Sequence, residues 1–289
     1  MKALLRLELE RALHCRAFIA SVAVGSLLSI IAATECIWRY YYSHEWGDLY
    51  LQTSFLNQYS FNAYTQWLPN AVMQATPALF FFIAPLLIGL SYGWSWCGDI
   101  AGGYAASVIA RAPRKTWELA KALAAFVSGG LVVSIPLLIN FVLVFCSVPA
   151  QVPSVTDMIW NGILDEEFLS ELFYSNPPAC VAFRFVFDFV LSGLWATAVI
   201  GLSRLFRNRV AVVVLPYIGM LVVKYVSQSV AALVQQGTGF LFGTVTLIDL
   251  LRVRGDYTYY TWAGIAFFLA STLILSIVFP RAARRRDVL

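Results

Sequence analysis

The chain has few charged residues and almost no histidine. Only 12% of its 289 residues are Asp, Glu, Lys or Arg, and only two are histidine, whereas soluble domains carry about 25% charged residues. It contains no G-x-x-x-x-G-K-[ST] phosphate loop, no H-E-x-x-H pair, no dinucleotide-binding glycine fingerprint and no cysteine pair at zinc spacing. We therefore expect no catalytic site, no metal and no bound cofactor in this chain.

Apolar residues make up 60% of the chain, which is more than a water-soluble fold buries. A membrane helix needs roughly 20 mostly apolar residues to cross about 30 Å of hydrocarbon. Windows of this kind cover residues 17–38, 71–96, 119–148, 181–206, a stretch from 210 onwards, and 259–279. The sequence therefore predicts an all-α integral membrane protein, a single domain of six transmembrane helices, in which the end of the fifth span is not fixed.

The basic residues predict the orientation of these spans. Lys and Arg are retained in short cytoplasmic loops, and with both termini inside, 15 of the 20 basic residues fall on the inner side. The remaining five are Arg39, Arg184, Lys224, Arg252 and Arg254. The net charge of +4 thus reflects membrane topology, and we infer no nucleic-acid partner from it.

The first residues, 1–16, favour an amphipathic helix on the inner membrane surface. One side repeats leucine every four residues and the other repeats charge at the same spacing, as shown by Leu5, Leu9 and Leu13 against Lys2, Arg6 and Glu10. The alternative is that this segment merely extends the first span into the cytoplasm.

Three further segments lie on the predicted outer side. Residues 39–70 are rich in Tyr and Trp, which are typical of the head-group level, and residues 149–180 are acidic without Lys or Arg. Residues 224–258 are too apolar for a loop and too interrupted by Gln and Gly for a helix, which predicts two re-entrant half-helices. Cys36, Cys146 and Cys180 fall near this face, where a disulfide is permitted, and their spacing leaves the pairing open.

The most informative segment is the inner loop 97–118, which reads CGDIAGGYAASVIARAPRKTWE. A helix-compatible stretch from Tyr104 to Ala110 is followed by a turn at Pro113, since the residue before proline disfavours helix. The next helix is expected to start near Thr116. These patterns predict a short helix across the inner ends of two spans, and a solvated basic loop is the alternative.

The same segment resembles the permeases of type-2 ABC exporters. An acidic residue, a glycine, a short helix, two arginines and a lysine opening the next span follow one another at Asp99, Gly102, Arg111, Arg114 and Lys121. The first helix, six spans with both ends inside, broken half-helices before the last span and the junction 201–221 are similar as well. Many such permeases carry Glu at the position of Asp99 and have shorter outer segments, so the cargo stays open.

The resemblance implies a function for the chain and a set of partners. A second permease chain, identical or paralogous, would pair with it in a bacterial plasma membrane, and a separate ATPase subunit would supply ATP and Mg²⁺. The ATPase would dock on the inner helix, with a set of docking residues comprising Asp99, Gly102, Gly103, Tyr104, Arg111, Arg114 and Lys115. The expected activity is export of a lipid, a peptide antibiotic or a drug-like cargo, and the alternative is an immunity or sensing complex that binds a peptide without transporting it.

A few polar residues within or near the spans are further candidates, because charge at the bilayer centre costs about 2.5–3.5 kcal/mol. Arg184 and Asp188 are four residues apart and share a helix face, which fits either a structural ion pair or a role in cargo handling. Glu35 is expected at the outer interface. Glycines four apart, Gly89 with Gly93, predict close helix packing.

Overall fold

The computed structural model describes residues 2–50, 62–71, 74–155, 163, 167–206, 208–238, 246–252 and 258–283. These residues form an all-helical protein without a β-strand, which confirms the predicted fold class. The helices are α1 (Lys2–Leu13), α2 (Arg16–Tyr50), α3 (Ala63–Gln66), α4 (Ala75–Tyr92), α5 (Ser95–Ala101), α6 (Tyr104–Ile109), α7 (Arg114–Ser147), α8 (Ser170–Ser175), α9 (Pro177–Ser203), α10 (Arg209–Thr238), α11 (Leu247–Arg252) and α12 (Thr258–Ala283).

Five segments of the described chain are long and apolar enough to cross a membrane. They are Arg16–Tyr42, Ala75–Ala101, Arg114–Ser147, Pro177–Ser203 and Arg209–Val230, so α4 and α5 together make the second span. Helix α12 has 26 residues, and its described apolar part, Trp262–Ser276, is shorter than a span. The chain thus has several helices of membrane-spanning length, and a sixth crossing stays a prediction.

Helices α7 and α9 form the centre of the bundle, and glycines let their backbones approach closely. A Cβ atom added to Gly129 would lie 2.4 Å from that of Ala196, and one added to Gly193 would lie 2.6 Å from the Phe126 ring. Helix α2 packs on α7 and α4, and α12 packs on α9. The predicted glycine contact also occurs, since a Cβ on Gly93 would lie 2.5 Å from Val199 Cγ1.

Helix α10 lies at the edge of the bundle and differs from the prediction. It runs without interruption from Arg209 to Thr238, so residues 224–238 continue the fifth span and do not form a half-helix. Lys224 lies within this helix, and its ammonium is paired with Asp249 of α11 at 2.5 Å. Residues 239–245 and 253–257 lie outside the described part of the chain, and between them the short helix α11 packs against α4, α9 and α12.

The described parts of the two predicted outer segments, 39–70 and 149–180, pack against the bundle. Helix α2 continues to Tyr50, because no glycine or proline occurs between residues 39 and 46. Trp67 was expected at the head-group level, but it is fully buried; its indole meets Phe141 edge to face and lies 5.3 Å from the ring centre of Phe185. This segment is therefore fastened to the side of the bundle formed by α7 and α9.

The acidic outer segment supplies little exposed acid in the described residues. Glu167 is buried and Glu171 is exposed, while Asp157, Asp165 and Glu166 lie outside the described residues. The five cysteines are all described and all carry free thiols. The structure therefore contains no disulfide among Cys36, Cys146 and Cys180, although the sequence permits one.

Candidate functional site

The connection from α4 to α7 builds a small platform at the end of the bundle that also carries α1, which we call the α1 end. Helix α5 extends the second span and stops at Gly102, and Gly103 follows with φ of 71°. This left-handed conformation is open to glycine without steric cost, and it turns the chain directly into α6. Pro113 then caps α7, which begins at Arg114, two residues earlier than predicted, because the fixed φ of proline suits a helix start.

The structure divides the predicted docking residues into two groups. Asp99 is buried, 5% exposed, and it points into the bundle. Arg111 and Lys115 are exposed, as are Gly102 and Gly103. Of the other two, Tyr104 is half-buried, and Arg114 pairs with Glu118 at 2.9 Å. These residues therefore do not form one surface: Asp99 belongs to an interior cluster, and the exposed cations belong to the outside of the platform.

Four charged side chains from three elements form that interior cluster, which we call the charge cluster: Glu8, Arg11, Asp99 and Lys121. Lys121 donates a hydrogen bond to Asp99, and its Nζ lies 3.5 Å from Glu8 Oε2. Arg11 donates to the other oxygen of Asp99 at 2.9 Å and lies 3.3 Å from Glu8 Oε1. Each acid therefore contacts both bases, and the first helix is bound to the second and third spans through them.

Aromatic side chains enclose the charge cluster and complete its hydrogen bonds. The Tyr92 hydroxyl donates to Glu8 at 2.6 Å, and the Trp117 indole N–H donates to the same carboxylate at 3.0 Å. The ammonium of Lys121 lies 5.3 Å from the centres of both rings. Cation–π attraction, three hydrogen-bond donors to the Glu8 carboxylate and the nearby Lys121 ammonium thus offset the loss of water around these charges.

A second layer joins the charge cluster to the end of α9. The rings of Trp117 and Trp96 stack with centroids 4.7 Å apart. The guanidinium of Arg204 lies 4.0 Å from the Trp96 ring centre, and it pairs with Glu118 at 3.5 Å. The α1 end is therefore one connected network of charged and aromatic side chains that spans α1, α5, α7 and the end of α9.

The charge cluster holds two acids and two bases, so its formal charge is zero. Glu8 and Lys121 are fully buried, and removing ions from water costs several kcal/mol per ion unless partners compensate. Burial acts to lower the pKa of Arg11, but the hydrogen bond and the charge of Asp99 outweigh it and the pKa is raised. Arg11 therefore stays charged at every pH at which the protein is folded.

Next to the charge cluster, Tyr104 links α6 to α1. The guanidinium of Arg11 lies 4.1 Å from the Tyr104 ring centre. Burial and the nearby charge of Glu8 raise the pKa of the Tyr104 hydroxyl, so the phenol is neutral at physiological pH. Since no residue of α6 is buried, this ring contact is its main attachment to α1.

No protein-family model, curated protein or solved structure matches this chain. The site is therefore interpreted from its own chemistry. Among the described residues, no group of three or more His, Cys, Asp and Glu side chains is arranged to hold a metal ion.

Sequence reasoning found Asp99 and Lys121 but missed Glu8 and Arg11. The sequence does contain a signal for Glu8. One face of α1 is made of Leu and Ala except for this glutamate; the face comprises residues 4, 5, 8, 9, 12 and 13. An acid in the middle of an apolar helical stripe needs a buried partner. The predicted amphipathic helix therefore packs against α7 through Glu8 and Ala12.

The predicted pair Arg184 and Asp188 lies inside the bundle. Both side chains are buried, and the closest nitrogen and oxygen are 3.3 Å apart. Arg184 also donates to the carbonyl of Leu251 at 2.5 Å, which ties α9 to α11. These contacts favour the structural alternative for the pair.

Glu35 lies far from the charge cluster, towards the opposite end of the bundle. Its carboxylate accepts the Thr76 hydroxyl at 2.7 Å, which joins α2 to the start of α4. Glu35 also lines a cavity of about 530 Å³ with Trp38 and Arg39. Glu35 therefore stands apart from the α1 end and from the Arg184 pair.

Proposed function

We propose that the chain is the membrane permease subunit of an ABC exporter in a bacterial plasma membrane, driven by ATP hydrolysed in a separate subunit that docks at the α1 end. The observation that carries the proposal is the exposed helix α6, which contacts the charge cluster of α1, α5 and α7 through the ring of Tyr104. The resemblance of residues 97–121 to type-2 ABC exporter permeases points in the same direction.

The outside of the platform has the composition of a protein-binding surface. Ile100 and Ile109 are 49% and 41% exposed, and Arg111 and Lys115 surround them with positive charge. Interfaces combine an apolar centre with a polar rim and are enriched in Arg. A soluble ATPase with an apolar cleft and an acidic rim would fit this face.

The charge cluster gives a physical path from that surface to the spans. Movement of α6 acts through the Tyr104 ring on Arg11, and Arg11 is joined through Asp99 to Lys121 of α7. Because hydrogen-bonded ion pairs resist separation where most of their surface is buried, α1, α5 and α7 would move together. ATP-driven closure of two docked ATPases would thereby bias the bundle between two arrangements.

The proposal includes a second permease chain, identical or paralogous, and membrane lipid around it. Helix α10 is suited to such contacts, because large apolar side chains along it are exposed: Val210, Leu215, Ile218, Val222, Val223, Val226 and Val230. ATP and Mg²⁺ belong to the ATPase. The cargo is a lipid, a peptide antibiotic or a drug-like molecule.

The test is purification of the tagged chain from its native membrane, with any co-purifying ABC ATPase identified and counted by mass spectrometry. We expect Arg111→Glu to lower the amount of ATPase recovered per permease about tenfold, since like-charge juxtaposition at an interface is costly. Arg39→Glu is the matched control, because Arg39 is equally an exposed arginine but lies at the other end of the first span. Equal recovery with both variants, at equal membrane insertion, would contradict docking at this face.

A further inference from the structure

A groove of about 440 Å³ lies at the α1 end, between the second span and the start of α10. This volume is within the range of small-molecule sites, about 300–1,000 Å³. The structure describes every side chain of its lining, which is apolar except for one arginine and the N–H of one tryptophan: Leu86, Leu90, Trp94, Arg209, Val210, Val213 and Val214.

The groove runs from the head-group level of a membrane into its hydrocarbon. Arg209 begins the fifth apolar span, and Trp94 lies near the end of the second, where basic and Trp side chains meet lipid head groups. Leu86 precedes Trp94 by eight residues, or about 12 Å of helix at 1.5 Å per residue. Because one leaflet of hydrocarbon is about 15 Å deep, the groove follows most of the depth of one leaflet.

The floor of the groove is closed by contact between α4 and α10, and its rims are open. Val213 is buried, and a Cβ added to Gly89 would lie 3.5 Å from Val213 Cγ1. On the rims, Leu90 is 38% exposed and Val210 is 66% exposed. The open side therefore faces the surroundings of the bundle, which in a membrane are lipid.

The guanidinium of Arg209 is packed against α5 at the mouth of the groove. It lies 5.4 Å from the Trp94 ring centre, and the Trp94 indole donates to the Leu90 carbonyl at 3.1 Å, which fixes the ring. A Cβ added to Gly98 would lie 3.6 Å from Arg209 Cζ, so the cation also lies over the backbone of α5. Its position above the apolar lining is therefore set by the protein.

Arg209 has no acidic partner in the part of the chain that the structure describes. The one acid of α5 is Asp99, which pairs with Arg11 and Lys121 instead. Residue 207 lies outside the described residues, and as an arginine it supplies no negative charge. Since Arg209 is exposed and a guanidinium binds phosphate oxygens with two parallel hydrogen bonds, its donors are available to a phosphate.

We propose that this groove binds a glycerophospholipid of the surrounding bilayer that has an anionic head group. The lipid phosphate accepts from Arg209, and one acyl chain lies along Leu86, Leu90 and Val214. A zwitterionic lipid carries its own cation beside the phosphate, which competes with Arg209, so the site prefers a lipid with net negative charge. The inference goes beyond the proposed function, because it needs only a chain that lies in a bilayer and no ATPase.

The experiment titrates the purified full chain in neutral detergent with dioleoyl phosphatidylglycerol or dioleoyl phosphatidylcholine, and bound lipid is counted by native mass spectrometry. We expect the first phosphatidylglycerol to bind about fivefold more tightly than phosphatidylcholine, the contribution of one basic residue at a membrane surface converted to affinity. Arg209→Gln is expected to bring the two affinities within about twofold of each other. Arg16→Gln is the matched control, because Arg16 is likewise exposed and begins a span, and it should keep the preference.

A second pair of variants tests the location of the site. Val210→Trp places a large ring in the groove below Arg209 and is expected to remove the tight phosphatidylglycerol site. Val226→Trp adds the same ring to α10 outside the groove, at a position that is 56% exposed, and is expected to leave binding unchanged.

Three results would overturn the proposal. The first is equal affinity of the unaltered chain for the two lipids, and the second is an equal loss of preference in Arg209→Gln and Arg16→Gln. The third is a Val210→Trp chain that changes from dimer to monomer on gel filtration with unchanged lipid binding, because the groove would then be an interface between copies. If Val210→Trp does not fold, the comparison of Arg209→Gln with Arg16→Gln decides the question.

Discussion

Lys121 carries its charge into a part of the bundle from which water is excluded. It is 0% exposed, and its partners Glu8 and Asp99 come from two other helices. Replacing a whole buried ion pair by apolar residues is often neutral, but removing one partner costs about 3–5 kcal/mol, because the other charge stays buried. The stability of the protein therefore depends more on the equal number of positive and negative charges in the charge cluster than on any one of its hydrogen bonds.

We expect Lys121→Met to destabilise the protein by about 3–5 kcal/mol, since two carboxylates would then share one arginine. The measurement is thermal unfolding in detergent. Lys115→Met is the matched control, because Lys115 is an exposed lysine of the same helix, and exposed charges contribute about 0–1 kcal/mol.

A second variant separates charge from packing in the same assay. Glu8→Gln removes one negative charge and keeps one oxygen that accepts from the Trp117 indole, while its amide nitrogen can donate to the Tyr92 hydroxyl oxygen. We therefore expect Glu8→Gln combined with Lys121→Met to recover at least half of the lost stability. If the stability lost by the double variant equals the sum of the losses in the two single variants, the residues of the cluster act as independent contacts.

At this scale the sequence predicted about half of the site. Asp99 and Lys121 are 22 residues apart and follow a local pattern, so they were found. Glu8 meets Trp117 across 109 residues, and a contact of that range is set by how α1 packs on the third span. The exposure of Arg111 and Lys115 is likewise a result of packing, which a one-dimensional pattern does not contain.

Helices α7 and α9 show how close packing depends on the absence of single side-chain atoms. Gly129, Gly130 and Gly193 each face a side chain that an added Cβ would meet at 2.6 Å or less. In a membrane, helices associate through such van der Waals contact, since lipid is as apolar as the helices themselves. These glycines therefore set the distance between the two central spans.

Gly129→Ala is expected to destabilise the bundle by about 1–3 kcal/mol, the cost of overpacking. The added atom would lie 2.4 Å from Ala196 Cβ and 3.0 Å from the Ser192 carbonyl oxygen. Gly219→Ala on α10 is the control, because nothing lies within 4 Å of its added Cβ, and it should be neutral or stabilising by about 0.5–1 kcal/mol. Unfolding in detergent measures both, and equal effects would contradict the packing argument.

At the level of helices, length and hydropathy predicted the five spans that the described residues contain, and two helix boundaries differ from the prediction. The prediction left the end of the fifth span open beyond Lys224 and expected half-helices over 224–258, because Gln and Gly interrupt that apolar stretch. The helix instead continues through Lys224, which is paired with Asp249. The start of α7 was misplaced by only two residues, since proline marks helix boundaries locally.

The whole molecule has two ends of different character. The α1 end carries a charge-balanced interior and an exposed basic platform, and the opposite end carries cavities beside Glu35 and Lys224. Helix α7 starts at the α1 end and runs to the opposite end of the bundle. Ala110, beside α6, and Cys146, near the end of α7, therefore lie at opposite ends. The proposed orientation therefore predicts that Ala110 faces the cytoplasm and that Cys146 faces the outside of the cell.

Single-cysteine labelling in intact cells checks this orientation. Cys146 is exposed, so a chain that retains only this cysteine should react with an impermeant maleimide added outside. A chain with Ala110→Cys as its only cysteine should react only after the membrane is permeabilised. The reverse pattern would place α6 outside the cell and remove any route to an ATP-hydrolysing partner.

The dependence of α1 on α7 also has a consequence for how the chain is made. Glu8 leaves the ribosome 113 residues before Lys121, which at 5–20 residues per second is a delay of about 6–23 s. During that interval the carboxylate of the nascent first helix can pair with Arg11 of the same helix but with neither Lys121 nor Trp117. Final seating of the amino terminus is therefore a late event in biogenesis, completed only after the third hydrophobic segment has been inserted.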